Sequence, residues 1–123
     1  MPVIDRNDQR QHEIPGARFQ TLASPALGSQ ETSVWRVRLE PGTPGLPHRL
    51  TREEIFVVLA GSATATLDGT AQNLSEGSTL VLPAGVELSL TTAADPLEAI
   101  VCLPVGGQGI VADGEPFTPP WAA

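Results

Sequence analysis

Residues 42 to 61 read GTPGLPHRLTREEIFVVLAG, and this stretch decides the fold. It begins inside the segment 41–47, where three prolines and two glycines exclude both a helix and a central strand. Residues 53–60 form the most hydrophobic run of the chain and predict a strand. Gly61 then predicts a hairpin into a second strand, which ends at Asp68-Gly69. A loop of restricted backbone conformation therefore precedes a strand whose apolar side chains must be buried.

The predicted strand 53–60 is apolar on both of its faces. In a regular strand Phe56 and Val58 share one face, while Ile55 and Val57 share the other. Each face needs cover, either from a second sheet and the N-terminal residues or from another subunit. We therefore expect a homodimer.

Other segments alternate between apolar and polar residues, as half-buried strands do. In the segment 33–39, Trp35 and Val37 lie on one face and arginines on the other. Further strands are predicted in the segments 76–85, 86–91 and 97–103. No segment keeps a 3.6-residue period long enough to predict a helix. The pattern predicts an all-β fold, a sandwich or barrel of the jelly-roll kind.

The composition sets the class of protein. The chain has 123 residues, which suits one domain, and its 12 Gly and 12 Pro favour short strands and tight turns. A formal charge of −7 disfavours nucleic acid as a partner. No segment has the length of a membrane span or a signal peptide, and the single cysteine, Cys102, cannot form an intrachain disulfide. We expect a cytoplasmic protein without a membrane partner.

The chain divides into three parts. Residues 1–16 are polar and unpatterned, which predicts a mobile arm or a strand that pairs only in an oligomer. Residues 17–106 are predicted to form the barrel. Residues 107–123 are turn-rich and predict a tail, ending in Pro119-Pro120-Trp121, that packs on the barrel.

Two glycine-anchored motifs resemble those of the cupin family, which are G-x5-H-x-H-x3–4-E-x6-G and G-x5-P-x-G-x2-H-x3-N. The spacing of the first motif is matched by Gly42, His48, Leu50, Glu54 and Gly61. The spacing of the second is matched by Gly77, Pro83, Gly85, Leu88 and Thr92. The resemblance covers about residues 31–105 and implies a cupin-type double-stranded β-helix, an antiparallel jelly-roll barrel.

The resemblance also implies a divalent metal inside the barrel, held by three histidines and one glutamate. Two of these positions are Leu50 and Leu88 here, and Thr92 stands where the family has asparagine. One imidazole and one carboxylate leave most of a coordination sphere to water, and the leucines disfavour that water. We therefore expect no metal and no other cofactor. The alternative is a weakly bound divalent transition metal on His48 and Glu54.

His48 and Glu54 have two open interpretations. In the first, the His48 ring bonds a backbone carbonyl or Glu54, and Glu54 is a partly buried carboxylate paired with His48 or Arg52. In the second, the two side chains form a dyad at the mouth of an apolar pocket, which binds a small polar ligand or shuttles a proton. Glu53 faces the opposite side of a regular strand and is predicted to be solvated.

Other residues are weaker candidates. Cys102 is predicted to be a packed or interface thiol rather than a nucleophile. His12 could complete a metal site only if the arm folded over the barrel. Arg36 and Arg38 face outward and predict surface or intersubunit ion pairs. The run 106–109 lacks the strand-to-helix setting of a dinucleotide loop.

Three functions compete. The sequence favours a binding module for a small organic ligand in a metal-free barrel pocket, lined by His48, Leu50, Glu54, Phe56 and Leu88. The alternative is a cupin enzyme, an isomerase, epimerase or dioxygenase-like protein, in which His48 and Glu54 act as an acid/base pair or around a weak metal. The third is a structural barrel that dimerises through its apolar outer strand, so that Val57→Asp breaks the assembly.

Overall fold

A computed structural model describes residues 3–123 of the chain. It contains ten strands and three short 3-10 turns, with no α-helix in this range. The strands are β1 (Arg10–Ile14), β2 (Ala17–Ala23), β3 (Thr32–Leu39), β4 (Arg49–Leu50), β5 (Glu54–Leu67), β6 (Thr70–Ser75), β7 (Thr79–Leu82), β8 (Leu88–Thr91), β9 (Leu97–Pro104) and β10 (Gly109–Ile110). The all-β prediction is confirmed.

The strands form a curved antiparallel sheet in the order β1-β2-β3-β9-β5-β6, with β7 and β8 also paired to β5. The first half of β5 pairs with β7 and β9, and its second half pairs with β6 and β8. A separate pair joins β4 to β10. Because β5 belongs to both halves of the structure, the sheet folds over it and encloses one core. No helix in residues 3–123 has the length and hydropathy to cross a membrane.

The core follows the predicted alternation. Trp35, Val37 and Leu39 of β3 are buried, while Arg36 and Arg38 face outward. In β9 every second residue is buried, from Leu97 to Leu103. Apolar burial of this kind contributes about 25 cal/mol per Å² removed from water. The core is therefore built mainly of Leu, Val and Ala, with Phe19, Trp35 and Phe56 as buried aromatic side chains.

The predicted hairpin at Gly61 is wrong, because β5 runs through this position without turning back. Gly61 has φ +80°, and a Cβ there would overlap the Pro96 carbonyl oxygen. The register of β5 against β9 shifts between Val58 and Ala60, next to this close approach. The glycine therefore allows a bulge and a close backbone contact, not a turn. The turn falls at Asp68-Gly69, as expected, and leads into β6, a strand that the sequence pattern did not predict.

The N-terminal residues also differ from the expectation. Residues 10–14 form β1, which pairs with β2 of the same chain, so this part is neither an unpaired arm nor a strand that needs an oligomer. The physical reason is that β2 offers a free edge of backbone donors and acceptors, which β1 satisfies without an apolar pattern of its own. Met1 and Pro2 lie outside the described residues.

Candidate functional site

Glu54 is the first residue of β5 and points into the barrel. It pairs with Leu82 of β7, and like Phe56 two residues later it faces the core. Only 4% of Glu54 is exposed, whereas its neighbour Glu53 is exposed on the other side of the strand. The period of two therefore delivers one of two adjacent carboxyl groups to the interior and the other to solvent.

The Glu54 carboxyl has no charged partner in the part of the chain that the structure describes. No ion pair and no hydrogen bond to its oxygens occurs among residues 3–123, so the expected pairing with His48 or Arg52 is not observed there. Burial strips water from the carboxylate and raises the pKa of Glu54 from 4.5 to about 8. A group with this pKa is mostly a neutral acid near pH 7, with one O–H to donate.

His48 stands at the end of the proline-rich loop and beside Leu88. The two backbones exchange hydrogen bonds, from His48 N to Leu88 O at 3.0 Å and from Leu88 N to His48 O at 2.7 Å. The Nδ1 of His48 lies 2.9 Å from the Leu46 carbonyl oxygen. Because a carbonyl only accepts, Nδ1 is the donor, and in a neutral ring Nε2 is left as an acceptor. This geometry agrees with the first of the two interpretations, in which the His48 ring bonds a backbone carbonyl.

Leu50 and Leu88 occupy the two positions where the motifs would place histidine. They are 3% and 0% exposed. The carbonyl of Leu50 accepts a hydrogen bond of 2.9 Å from Gly85 N, and Leu50 pairs with Gly109 of β10. Among residues 3–123 no three His, Cys, Asp or Glu side chains are grouped as a metal site requires. The residues present therefore do not fit a three-histidine, one-glutamate centre.

Leu50, Glu54, Phe56 and Leu88 are all buried, so the side chains predicted to line the pocket face the interior rather than a surface groove. Two surface clefts in residues 3–123 lie elsewhere. One, of about 450 Å³, is lined by Val3, Ile4, Asp8, Arg10 and Leu27. The other, of about 130 Å³, lies among the outward arginines of β2 and β3. The pocket around Glu54 stays a prediction.

Thr92 has a role that the motif comparison did not reveal. Its hydroxyl donates to the Glu40 carbonyl at 2.6 Å and accepts from Thr43 N at 2.9 Å. These bonds fasten the start of the loop that leads to His48. Thr92 is buried, and a buried hydroxyl with both partners satisfied fixes the loop at little cost. A signal was present in the sequence, since Thr92 is a polar residue at a motif position.

The C-terminal segment covers the inner face of β2 and β3. Trp121 stacks on Phe19 with ring centroids 3.6 Å apart, and Thr21 Oγ1 donates to the Trp121 carbonyl at 2.7 Å. Ser33 Oγ donates to the Ala122 carbonyl, also at 2.7 Å. The sequence predicted that this tail packs, but not which strands it covers. It forms part of the enclosure of the interior.

The weaker candidates remain outside the site. Cys102 is half-buried on the outer side of β9, and burial raises the pKa of its thiol, which disfavours a nucleophilic thiolate. His12 lies on β1, and its Nε2 is buried without a hydrogen-bond partner in the described residues. Arg36 and Arg38 form surface ion pairs within the chain, with Glu98 and Glu40.

Comparison with known proteins agrees with this geometry. A family model described as "Cupin domain" matches residues 35–104, more than half of the chain. Auxin-binding protein 1 of Arabidopsis thaliana is 40% identical over 60 residues, which is 48% of this chain and 30% of that protein. The chain therefore spans less than a third of that curated relative.

Among solved structures, the polyketide cyclase RemF from Streptomyces resistomycificus superposes with a TM-score of 0.75 at 18% identity, over 85% of this chain and 79% of that one. Salicylate 1,2-dioxygenase from Pseudoaminobacter salicylatoxidans gives 0.70 at 17% identity, over 82% of this chain and 30% of that one. Likeness at such identity shows the fold alone. The matched family model, the two spaced motifs and the antiparallel barrel show that this chain belongs to the cupin family.

Proposed function

We propose that the protein binds a small organic ligand inside the barrel, without a protein-bound transition metal. The observation that carries the proposal is the buried Glu54 carboxyl, which has neither an ion pair nor a hydrogen bond among residues 3–123. Burial disfavours the ionised carboxylate and raises the pKa of Glu54, although its oxygens are not among the fully buried atoms that lack a hydrogen-bond partner in the described residues. A ligand that hydrogen-bonds the carboxyl offsets part of this loss of hydration.

The neighbours of Glu54 define the chemical class of that ligand. Leu50, Phe56 and Leu88 offer only apolar surface, so the body of the ligand is apolar or aromatic. Glu54 offers one directional polar contact, and in its neutral form it donates to a carbonyl, carboxylate or ether oxygen. The local similarity to a protein named for binding auxin supports small organic molecules as the first class to test, auxins among them.

The test is a ligand screen in chelator-containing buffer, read by thermal shift and then by calorimetry. We expect a compound that raises the melting temperature of the wild type but not of Glu54→Leu, which removes both the donor and the acceptor of the carboxyl. Glu53→Leu is the matched control, since it removes the adjacent carboxyl on the solvent face. Ligand binding that survives Glu54→Leu unchanged, or stoichiometric transition-metal binding in chelator-free buffer that disappears in His48→Ala, contradicts the proposal.

A second candidate is an enzyme of the isomerase, epimerase or dioxygenase-like kind that uses Glu54 and His48 for proton transfer. The pKa of Glu54, about 8, supports it because a general acid or base works best near the ambient pH. A turnover screen over small metabolites tests it. Activity must be lost in both His48→Ala and Glu54→Ala while far-UV circular dichroism stays native.

A third candidate is a barrel whose role is structural, through self-association. It predicts that substitutions at Glu54 and Leu88 leave the biological function unchanged. We place the protein in the cytoplasm for all three candidates, a proposal that fractionation of cells carrying a tagged chain tests.

A further inference from the structure

The C-terminal strap, which we define as residues 107–119, covers the barrel at Leu50. Two hydrogen bonds of 2.9 Å join it to Thr51, from Thr51 N to the Gln108 carbonyl and from Gln108 N to Thr51 Oγ1. Gly109 of β10 then pairs with Leu50 of β4. Because Leu50 is buried and is one of the residues predicted to line the pocket, the strap lies directly against that lining.

The Phe117 ring lies beside Leu50, at the boundary between the interior and solvent. Gly109 and Phe117 exchange backbone hydrogen bonds of 2.8 and 2.9 Å, and a Cβ on Gly109 would lie only 3.3 Å from the ring. Directly paired residues project on the same side of a sheet, so the ring is on the side of the β4–β10 pair to which the Leu50 side chain points. Phe117 is nevertheless 43% exposed. The ring therefore borders both the interior lining and solvent.

The strap is attached to the rest of the chain at its two ends. Along residues 111–118 the backbone hydrogen bonds, in the described part of the chain, go to Gly109 or to the strap itself, and residues 112–118 are all exposed. Beyond the strap, Trp121 is fixed by its stacking on Phe19. A segment with few contacts and exposed hydrogen bonds opens at lower cost than the core. The middle of the strap can therefore move while its ends stay in place.

The turn of the strap is strained. Ala112 has φ +51°, a left-handed conformation that is unfavourable for any residue with a Cβ. A hydrogen bond of 2.9 Å from Gly114 N to the Val111 carbonyl closes the turn around it. An open strap need not keep this conformation, so opening recovers part of the cost of the turn.

The proline-rich loop, residues 41–47, is the other cover near the predicted pocket, and it is fastened along its length. Hydrogen bonds join Gly42, Thr43 and His48 to β8 and to the two residues that follow it. A Cβ on Gly45 would overlap Ser89 and the backbone of β8. This loop opens only by separating from β8 at every one of these points. The strap is therefore the cover that opens at lower cost.

We propose that the strap is the gate of the barrel interior and that Phe117 is the residue that closes it. Opening breaks the two hydrogen bonds between Gly109 and Phe117 and lifts the ring away from Leu50, while Trp121 stays on Phe19. The inference rests on the proposed function, because a buried site needs a path of entry only if a ligand binds there. The path lies between an aromatic ring and a leucine, so it suits a small molecule with an apolar body.

Amide hydrogen exchange of the unliganded wild type, followed by NMR, tests the gate. The bridges His48–Leu88 and Gly109–Phe117 are a matched pair, since each consists of two backbone hydrogen bonds of 2.7 to 3.0 Å. We expect the Gly109 and Phe117 amides to exchange about ten-fold faster than those of His48 and Leu88, at a rate that low urea does not change, as in a local opening. Equal protection of the two bridges overturns the proposal.

A thiol placed in the interior measures access directly. In the background Leu88→Cys/Cys102→Ser the chain has one thiol, at a fully buried position, and mass spectrometry follows its modification by N-ethylmaleimide. Adding Phe117→Ala should accelerate modification about ten-fold, because the ring no longer closes the path. Leu46→Ala is the matched control. Leu46 is 66% exposed but belongs to the proline-rich loop, so its loss should leave the rate unchanged.

Modification at the same rate with and without Phe117→Ala, or equal acceleration by Leu46→Ala, overturns the proposal. The exchange measurement uses the wild type and decides the question even if the cysteine background does not fold. Neither readout contains a ligand, so both are independent of the ligand screen. A failed screen with a mobile strap refutes the proposed function alone, whereas a ligand that binds behind an immobile strap refutes the gate alone.

Discussion

At position 54 the chain places a carboxyl group in an interior where two neighbouring motif positions carry leucine. The ordinary reasons for burying a carboxylate, an opposite charge or a metal, are not provided by the described residues. The folded protein is therefore less stable when the Glu54 carboxyl is ionised than when it is protonated. This destabilisation is measurable without knowing the ligand.

We predict that the stability of the protein falls as the pH rises from about 4.5 to about 8. The folded chain keeps the Glu54 proton up to pH 8, while the unfolded chain releases it near pH 4.5. The stabilising contribution of the protonated Glu54 carboxyl is complete below the pKa of the unfolded chain. It decreases by roughly 1.4 kcal/mol per pH unit between the pKa of the unfolded chain and that of the folded chain. Urea unfolding at several pH values, at one protein concentration, measures the slope.

The matched pair of variants isolates the residue responsible. Glu54→Gln should flatten the slope between pH 5 and 7, because an amide does not titrate in this range. Glu53→Gln should leave the slope as in the wild type, since Glu53 is exposed. Equal slopes in the wild type and Glu54→Gln would show that Glu54 titrates normally in the folded chain.

A second prediction concerns the leucines. The double variant Leu50→His/Leu88→His should bind about one transition metal per chain, because it completes a set of three histidines and one glutamate. The backbone exchange between His48 and Leu88 supports this, as directly paired residues project on the same side of a sheet. Elemental analysis after incubation with manganese, iron, nickel or zinc salts measures the content.

The control for the rebuilt centre is the same double variant with His48→Ala, which should lose most of the metal. The wild type is expected to stay far below one metal per chain. A folded double variant that takes up no metal would show that these four positions do not converge.

The spacing of motif residues predicted these positions but could not select between the two interpretations of His48. In both interpretations the nitrogens of the His48 ring have a hydrogen-bond partner. The choice between them depends on the position of the Leu46 carbonyl. That carbonyl sits in a loop with prolines on both sides of Leu46, whose path no periodicity describes. Side-chain partners in irregular loops therefore require coordinates.

Strand β5 shows where periodicity is informative and where it fails. The alternation from Glu54 to Val58 correctly separates buried from outward residues. Gly61 was misread because a glycine between two apolar runs has the same pattern whether the chain turns or passes close to another backbone. Only the position of Pro96, far along the chain, distinguishes the two cases.

We predict that Gly61→Ala destabilises the protein by more than about 3 kcal/mol, since a left-handed φ and an overlap with the Pro96 carbonyl act together. Gly69→Ala is the control. It has a similar φ of +86° but open space around it, so it should cost about 1 to 2 kcal/mol. Urea midpoints with unchanged m-values compare the two. Equal losses would mean that β5 can move away from Pro96.

Strand β1 was missed because its residues, RQHEI, carry almost no hydrophobic pattern. It forms because β2 would otherwise expose a row of backbone groups, and a polar strand can satisfy them as well as an apolar one. Edge strands are thus specified by their neighbour more than by their own sequence. The central strands β3 and β9, which must bury one face, were predicted within one or two residues.

For the molecule taken together, family membership and the antiparallel barrel were accessible from the sequence, since they rest on glycine-spaced motifs and apolar alternation. The sequence predicted only in part how the molecule uses its surfaces. Both faces of β5 are apolar, which indicated a need for cover. That Arg36 and Arg38 of β3 form ion pairs with Glu98 of β9 depends on the register of β3 against β9, which composition does not encode.

The sharing of β5 between both halves of the sheet has a kinetic consequence. Among the strands that pair with β5, β6 alone is connected to it by a tight turn. The pair of Val57 with Ile100 can form only after most of the chain between them has folded. Closing that distant pair loses chain entropy before it gains contacts, so folding belongs to the slow, millisecond-to-second regime of non-local β proteins. Until β9 arrives, the most hydrophobic strand has an open edge. Strand β5, which connects the two halves of the folded barrel, is therefore the segment through which we expect a nascent chain to aggregate.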